Sequence, residues 1–213
     1  MSDKTNRNQR SEESRRRILE ATLELAAEKG YEGTTIAQVS KRSGLPSGSV
    51  YWHFENKDKL FAALLEHSVE AWEERQDWLF RPSELPQDRV RGVVARRAQE
   101  ATEDASFWRL GLLLTLERRL SGTAAREMFL KIRSTRLATM IDWWEQVLPE
   151  TVQKSDPSLA RRLAQFTMAT ADGLYVASSA GEDCDTAAVA DMLVDSLTHL
   201  VEAAGASLRD HPV

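Results

Sequence analysis

Helix starts and stops crowd unusually tightly into residues 34–60 of this 213-residue chain, TTIAQVSKRSGLPSGSVYWHFENKDKL. Thr35 with Gln38 three residues on forms a T-x-x-Q capping box, in which each side chain satisfies the other's backbone N–H. The helix it opens runs only to about Ser43, where Gly44 interrupts it. Pro46 and Ser47 begin a second short helix ending near His53. Asn56 caps a third start, with Asp58 near its positive end. A helix, a tight glycine turn and another short helix, in that order, predict a helix-turn-helix that docks on DNA, the second helix being the recognition helix.

The flanks extend the helical pattern. Upstream, Ile18, Leu19, Thr22, Leu23, Leu25 and Ala26 share one helical face, and Lys29, Gly30 and Tyr31 supply a stop signal. Downstream, Leu60, Phe61, Leu64, Leu65, Val69 and Trp72 predict a long fourth helix to about Phe80, closed by Pro82 and Pro86. Further helices are predicted at about 87–103, 106–120, 123–147 and 157–180, and from Asp185 to about Ala204, with loops at 149–157 and 181–185. Nothing alternates with the two-residue period of a strand, and 10 Gly and 6 Pro are few breakers for this length. The expected fold is all-α with about nine helices. A flexible basic arm (1–11) leads into a helix-turn-helix domain (12–60), which a long fourth helix joins to a C-terminal helical domain (61–213).

The net charge of −5 argues, as an average, against nucleic acid. Residues 1–60, however, hold 11 basic and 9 acidic side chains, leaving 17 and 24 for the rest. The acidity belongs to the larger part, and Arg7, Arg10, Arg15, Arg16 and Arg17 make the head mildly basic. No apolar run approaches the roughly 20 residues needed to span a bilayer, and the N-terminus lacks the apolar region of a signal peptide. No membrane partner and a cytoplasmic location are expected. A lone Cys184 excludes an intrachain disulfide and fits a reducing compartment. The four histidines are scattered and no catalytic or phosphate-cradling motif occurs, so neither enzyme activity, nor a metal, nor a cofactor is expected.

On the recognition helix Ser47, Gly48 and Ser49 are small enough to let the backbone approach base edges, while Val50 and Phe54 face inward. Tyr51 and His53 offer donors, Thr35 a hydroxyl beside a helix start, and Lys57 a charge, the groups that phosphates require. Trp52 packs either on sugars or a thymine methyl, or against the protein.

This stretch resembles the DNA-binding domain of the TetR family of bacterial transcriptional regulators. The resemblance rests on Gly30-Tyr31, Thr34-Thr35, Gly44-Leu45, the run Gly48-Ser49-Val50-Tyr51-Trp52-His53-Phe54, and Lys57 to Leu60. It covers about residues 12–65 and beyond them extends only to layout. One departure is Pro46, where the family often has a capping Ser or another polar residue, so that Ser47 is expected to take over the cap.

The resemblance implies that the later helices bind a small-molecule effector and form a homodimer that reads a palindromic operator, most simply as a repressor released by its ligand. An activator of the same family, or an all-α protein-interaction module, is the alternative. Trp72, Trp108, Leu112, Leu116, Met128, Trp143, Phe166 and Tyr175 are the pocket candidates, since aromatic and Met side chains line apolar ligand sites as readily as they fill a core. Trp78 lies on the same helices. The last two helices carry stripes at helical spacing: Leu163, Thr170, Leu174 and Ala177, then Val189, Leu193, Leu197 and Leu200. These either build a two-fold four-helix interface or cover the protomer's own core. Small residues at Ala169, Ala171, Gly173, Ser178 and Ser179 favour close helix approach, and the partner of Asp172 is not evident.

Overall fold

The computed structural model describes residues 2–74, 106–120, 122–181 and 184–210. The helix expected at 87–103, Trp78, and the side chains of Ser178 and Ser179 lie outside that description. The described residues fold into nine α-helices and no strand: α1 (Ser2–Gly33), α2 (Ile36–Ser43), α3 (Ser47–Phe54), α4 (Lys57–Glu74), α5 (Ser106–Leu116), α6 (Ala124–Val147), α7 (Glu150–Ser155), α8 (Leu159–Ala180) and α9 (Thr186–Asp210). They form two compact units, one of residues 2–74 with 106–132, the other containing residues 133–210.

In the first unit, Ile18, Leu19, Thr22, Leu25 and Ala26 of α1 are buried as their spacing predicts. The residues before Ser11, expected as a flexible arm, continue α1 instead. Further along, Arg16 pairs with Glu13 at 2.8 Å and Glu20 at 2.5 Å, the one-turn spacing at which opposite charges support a polar helix. Regular helix ends at Gly30, whose φ of 67° lies in the left-handed region. Tyr31 then packs edge-on against Phe61, ring centres 4.7 Å apart. The apolar stripe of α4 is buried from Leu60 to Trp72. The division expected after residue 60 is therefore not a packing boundary, because α4, α5 and the first turns of α6 pack with the N-terminal helices.

Helix α5 is shorter than expected. It stops at Leu116, and residues Arg118–Leu120 form a single 3₁₀ turn, with the Glu117 carboxylate accepting the Arg119 N–H at 3.1 Å. Within it, Gly111 lies under the ring of Phe129, which is fully buried and stands edge-on to Trp108 with ring centres 5.2 Å apart. A Cβ at Gly111 would overlap that ring. Gly111→Ala should therefore cost about 1–3 kcal/mol by overpacking, despite alanine's better helix propensity. At about 2–4 °C per kcal/mol, thermal denaturation reads this directly; an unchanged Tm would show that the ring moves aside freely.

In the second unit, Trp144 and Leu148 at the end of α6 pack with Val152 of α7, Leu159 and Leu163 of α8, and Leu193, Val194 and Leu197 of α9. Helix α7 replaces the loop expected between the two prolines. Pro149 stands at its N-cap, where a missing N–H costs nothing, and Gln153 Nε2 turns back to donate to the carbonyls of Glu145 (2.6 Å) and Leu148 (2.7 Å) at the end of α6. Asp172 finds its partner in Arg133, whose guanidinium donates both Nη atoms to the carboxylate at 2.9 and 2.7 Å.

Helix α9 starts as expected, with the Asp185 carboxylate accepting the Ala188 N–H at 2.9 Å, and runs on to Asp210, past the predicted end near Ala204. Of the predicted interface stripes, Leu163, Leu174, Leu193 and Leu197 are buried in the protomer, and Thr170, Ala177 and Val189 are half-buried. Only Leu200 is exposed. The most apolar stripe of each helix faces the core, and a different face looks outward. On α8 that face carries Phe166, Ala169, Gly173, Val176 and Ala180; on α9 it carries Ala188, Met192, Ser196 and Leu200.

Candidate nucleic-acid interface

The capping box at α2 forms as predicted. Gln38 N–H donates to Thr35 Oγ1 at 3.3 Å, and Thr35 N–H to Gln38 Oε1 at 3.0 Å. Val39 is fully buried beneath this start, while Thr35 is exposed. The N–H groups of Ile36 and Ala37 point out of the helix end, where no intrahelical acceptor exists.

Gly44 closes α2 in the left-handed region, at φ 68° and ψ 21°. The turn is braced twice. Ser40 Oγ donates to the Leu45 carbonyl at 2.7 Å, and Arg17 reaches across from α1 to donate to the Ser43 carbonyl at 2.6 Å. Sequence reasoning counted Arg17 only as part of a basic arm; no local pattern signals a contact 26 residues away.

Pro46 occupies the N-cap of α3 and provides only its carbonyl, to Ser49 N–H at 2.8 Å. Ser47 does not take over the cap, because it is already the first helical residue and no side chain caps this end. Pro46, Ser47 and Gly48 are exposed and Ser49 is half-buried. A Cβ at Gly48 would meet nothing within 4 Å. Val50 and Phe54 are buried and fix the inner face.

The outer face at the C-terminal end of α3 carries Tyr51 and Trp52, the latter 74% exposed. Of the two alternatives for Trp52, packing against the protein covers little of the side chain, whose ring stands edge-on to the neighbouring His53, ring centres 4.6 Å apart. Burial, and then the nearby Arg15 guanidinium, pulls His53 below the ordinary histidine pKa. At neutral pH it is the uncharged imidazole, a hydrogen-bonding group and not a cation.

Helix α3 ends in a γ-turn at Glu55. Its φ of 62° is the only positive value at a non-glycine among the described residues, and Asn56 N–H donates across it to the Phe54 carbonyl at 2.5 Å. Nothing in the residue type announces this. Asn56 Oδ1 then caps α4 at Lys59 N–H, 2.9 Å away, as predicted.

Lys57 is committed to the protein more than expected. Its ammonium donates to the Tyr31 carbonyl at 3.0 Å and lies 4.3 Å from the centre of that ring. Glu32 Oε2 lies 4.0 Å from the same ammonium, which keeps two further N–H donors. Two arginines of the head are also engaged, Arg16 by Glu13 and Glu20, and Arg42 by Glu24 and Glu28 at 2.9 and 3.0 Å.

The pocket candidates divide between the units. Trp72 and Trp108 are buried and Leu112 and Met128 half-buried in the first; Tyr175 is buried and Trp143 half-buried in the second. Leu116, in the last turn of α5, is 74% exposed, and Phe166, on the outer face of α8, is 42% exposed.

Residues 18–64 match the family model of bacterial regulatory proteins of the tetR family. The chain is 26% identical over 196 residues to the HTH-type transcriptional regulator BetI of Burkholderia thailandensis, covering 88% of this chain and 93% of the relative. Among solved structures, it resembles a transcriptional regulator from Saccharomonospora viridis in complex with choline, with a TM-score of 0.68 and 21% identity over 88% of this chain and 97% of the other. It also resembles AibR in complex with isovaleryl coenzyme A and operator DNA, with a TM-score of 0.64 and 19% identity over 86% and 97%. At such identities the structural likeness establishes the all-α fold. The family model spans the braced turn and the exposed recognition helix that it presents, so the head of this chain, residues 18–64, is a DNA-binding domain of the tetR-family type.

Proposed function

We propose that the chain is a ligand-responsive repressor that binds a two-fold-symmetric operator as a homodimer and is released by a small molecule with a largely apolar body. The observation that carries the reading is the outer face of α3, where Ser47, Gly48, Tyr51 and Trp52 stand exposed on a helix whose inner face is locked by Val50 and Phe54. Ser47, Gly48 and Ser49 admit the backbone to base edges. The open helix ends at Ile36 and Ser47, with Thr35, Tyr51, His53 and the spare donors of Lys57, bind phosphates and set register. Trp52, free of the protein on most of its surface, packs on sugar or a thymine methyl.

The dimer forms through the outward faces of α8 and α9, not the buried stripes. Phe166, Val176 and Met192 are large and exposed, and Ala169, Gly173 and Ala180 between them let two helices approach closely. For the effector, Trp72, Trp108, Leu112 and Met128 in one unit and Trp143 and Tyr175 in the other are the apolar side chains available. Similar proteins are held in complex with choline and with isovaleryl coenzyme A, which makes these two compounds the first probes.

Selection of duplexes from a random library by the full-length chain tests the reading. It should enrich a palindrome whose binding weakens steeply with salt. Choline or isovaleryl coenzyme A should then raise the Tm and loosen that duplex. Tyr51→Phe removes one hydroxyl and no packing, and should lower affinity about tenfold with no change in Tm, the worth of a hydrogen bond to a charged group. Absence of any enriched sequence would overturn the reading.

A further inference from the structure

Asp58 lies in the first turn of α4, just past the γ-turn that ends the recognition helix. An acidic residue there ordinarily serves its own helix start, but Asn56 already does so. The Asp58 carboxylate instead caps a helix 66 residues further on: Oδ2 accepts the Ala124 N–H at 2.7 Å and Oδ1 the Ala125 N–H at 3.0 Å. Thr123 completes the cap, its hydroxyl accepting Arg126 N–H at 3.3 Å and its carbonyl Glu127 N–H at 3.0 Å. Every N–H in the first turn of α6 thus has an acceptor, and two of the four acceptors belong to the reading head.

These bonds are charge-assisted, partly buried and aligned with the positive end of the α6 dipole, so they resist extension more than an ordinary surface contact. Helix α6 is continuous from Ala124 to Val147, and its last turn lies in the core of the second unit through Trp144. A shift of α6 along or about its axis must either break the cap or move α4, and α4 packs on the recognition helix and follows it after two residues, Glu55 and Asn56. We propose that Asp58 is the positioning residue that couples the recognition helix to α6, and that displacement of α6 reaches the DNA surface through this two-bond cap. The proposal rests on the reading of the chain as a DNA-binding regulator.

Coupling of this kind is reciprocal: if α6 governs the head, DNA on the head must be felt at the start of α6. The test uses the full chain and the duplex enriched from the random library. In the wild type, amide hydrogen exchange of residues 124–127 should slow about tenfold on binding that duplex. Asp58→Ala should abolish this DNA dependence and lower the preference for the enriched over an unrelated duplex about tenfold, without weakening binding to the unrelated one. Ala124→Pro attacks the same bond from the other side, since proline is favoured at a first helical position and lacks the donor, and it leaves α4 untouched. Its effect should be smaller and non-additive with Asp58→Asn.

Wild-type preference retained in both Asp58→Ala and Ala124→Pro would overturn the proposal. So would exchange at 124–127 that is indifferent to DNA in the wild type. Should Asp58→Ala not fold, Ala124→Pro and Asp58→Asn decide alone. A wild type that enriches no duplex instead brings down the regulator reading, and the coupling with it.

Discussion

Val176→Arg should convert the chain to a monomer and lower its affinity for a full palindrome by about 10²–10⁴-fold, the effective-concentration advantage of two linked heads. Val176 is 55% exposed near the C-terminal end of α8, one turn from Gly173 and from Ala180. Close approach of two such faces leaves no room for a guanidinium and would set it near its own symmetry copy, a like charge. The fold of the protomer should be unaffected, because the side chain already faces outward. Sedimentation velocity and mobility shift on full and half palindromes check it together: mass halves, full-site affinity collapses, and half-site affinity stays. A variant that remains dimeric with unaltered affinity would place the interface elsewhere.

Gly48→Glu should abolish operator binding, by about 100-fold or more, while leaving the protein as stable as before. A side chain at 48 meets nothing in the fold, and glutamate is the better helix former by some tenths of a kcal/mol up to about 1 kcal/mol. Its cost falls entirely on the complex, where it fills the space between helix and base edges and sets a carboxylate against phosphates, a juxtaposition worth several kcal/mol. Gly48→Ala, lacking charge and reach, should lose far less. Thermal denaturation beside a binding titration separates the two effects; a parallel fall in Tm would mean that the glycine serves the fold and not the DNA surface.

The reading head was legible because its determinants are local. The Thr35–Gln38 box, the left-handed Gly44 and the Asn56 cap each involve residues three or fewer positions apart, or a single backbone torsion, so residue type nearly dictates geometry. Contacts that span the chain were not legible. Arg17 on the Ser43 carbonyl, Lys57 on the Tyr31 carbonyl and Asp58 on the start of α6 look, in sequence, like ordinary surface charges. Helix α7 was missed because a proline was read as a breaker, when at an N-cap it is harmless. Four of the eight stripe residues lie in the protomer's core for a related reason. Periodicity finds the most apolar face of a helix, and in α8 and α9 Leu163, Leu174, Leu193 and Leu197 use that face for the protomer's core. The second face, built of small residues with an occasional Phe, Val or Met, has too little hydrophobic contrast to stand out.

The pairing of Arg16 and Arg42 with four glutamates bears on how such a protein finds its target. Each cation already neutralised on the protein displaces fewer counterions from a random stretch of duplex, so the sequence-independent component of binding is reduced at its source. A genome offers millions of wrong sites, and what decides occupancy is the ratio of right to wrong affinity multiplied by their abundance. Ion pairs made within the protein shrink the denominator of that ratio. A head with these two arginines paired is expected to leave wrong DNA sooner than one in which both are free.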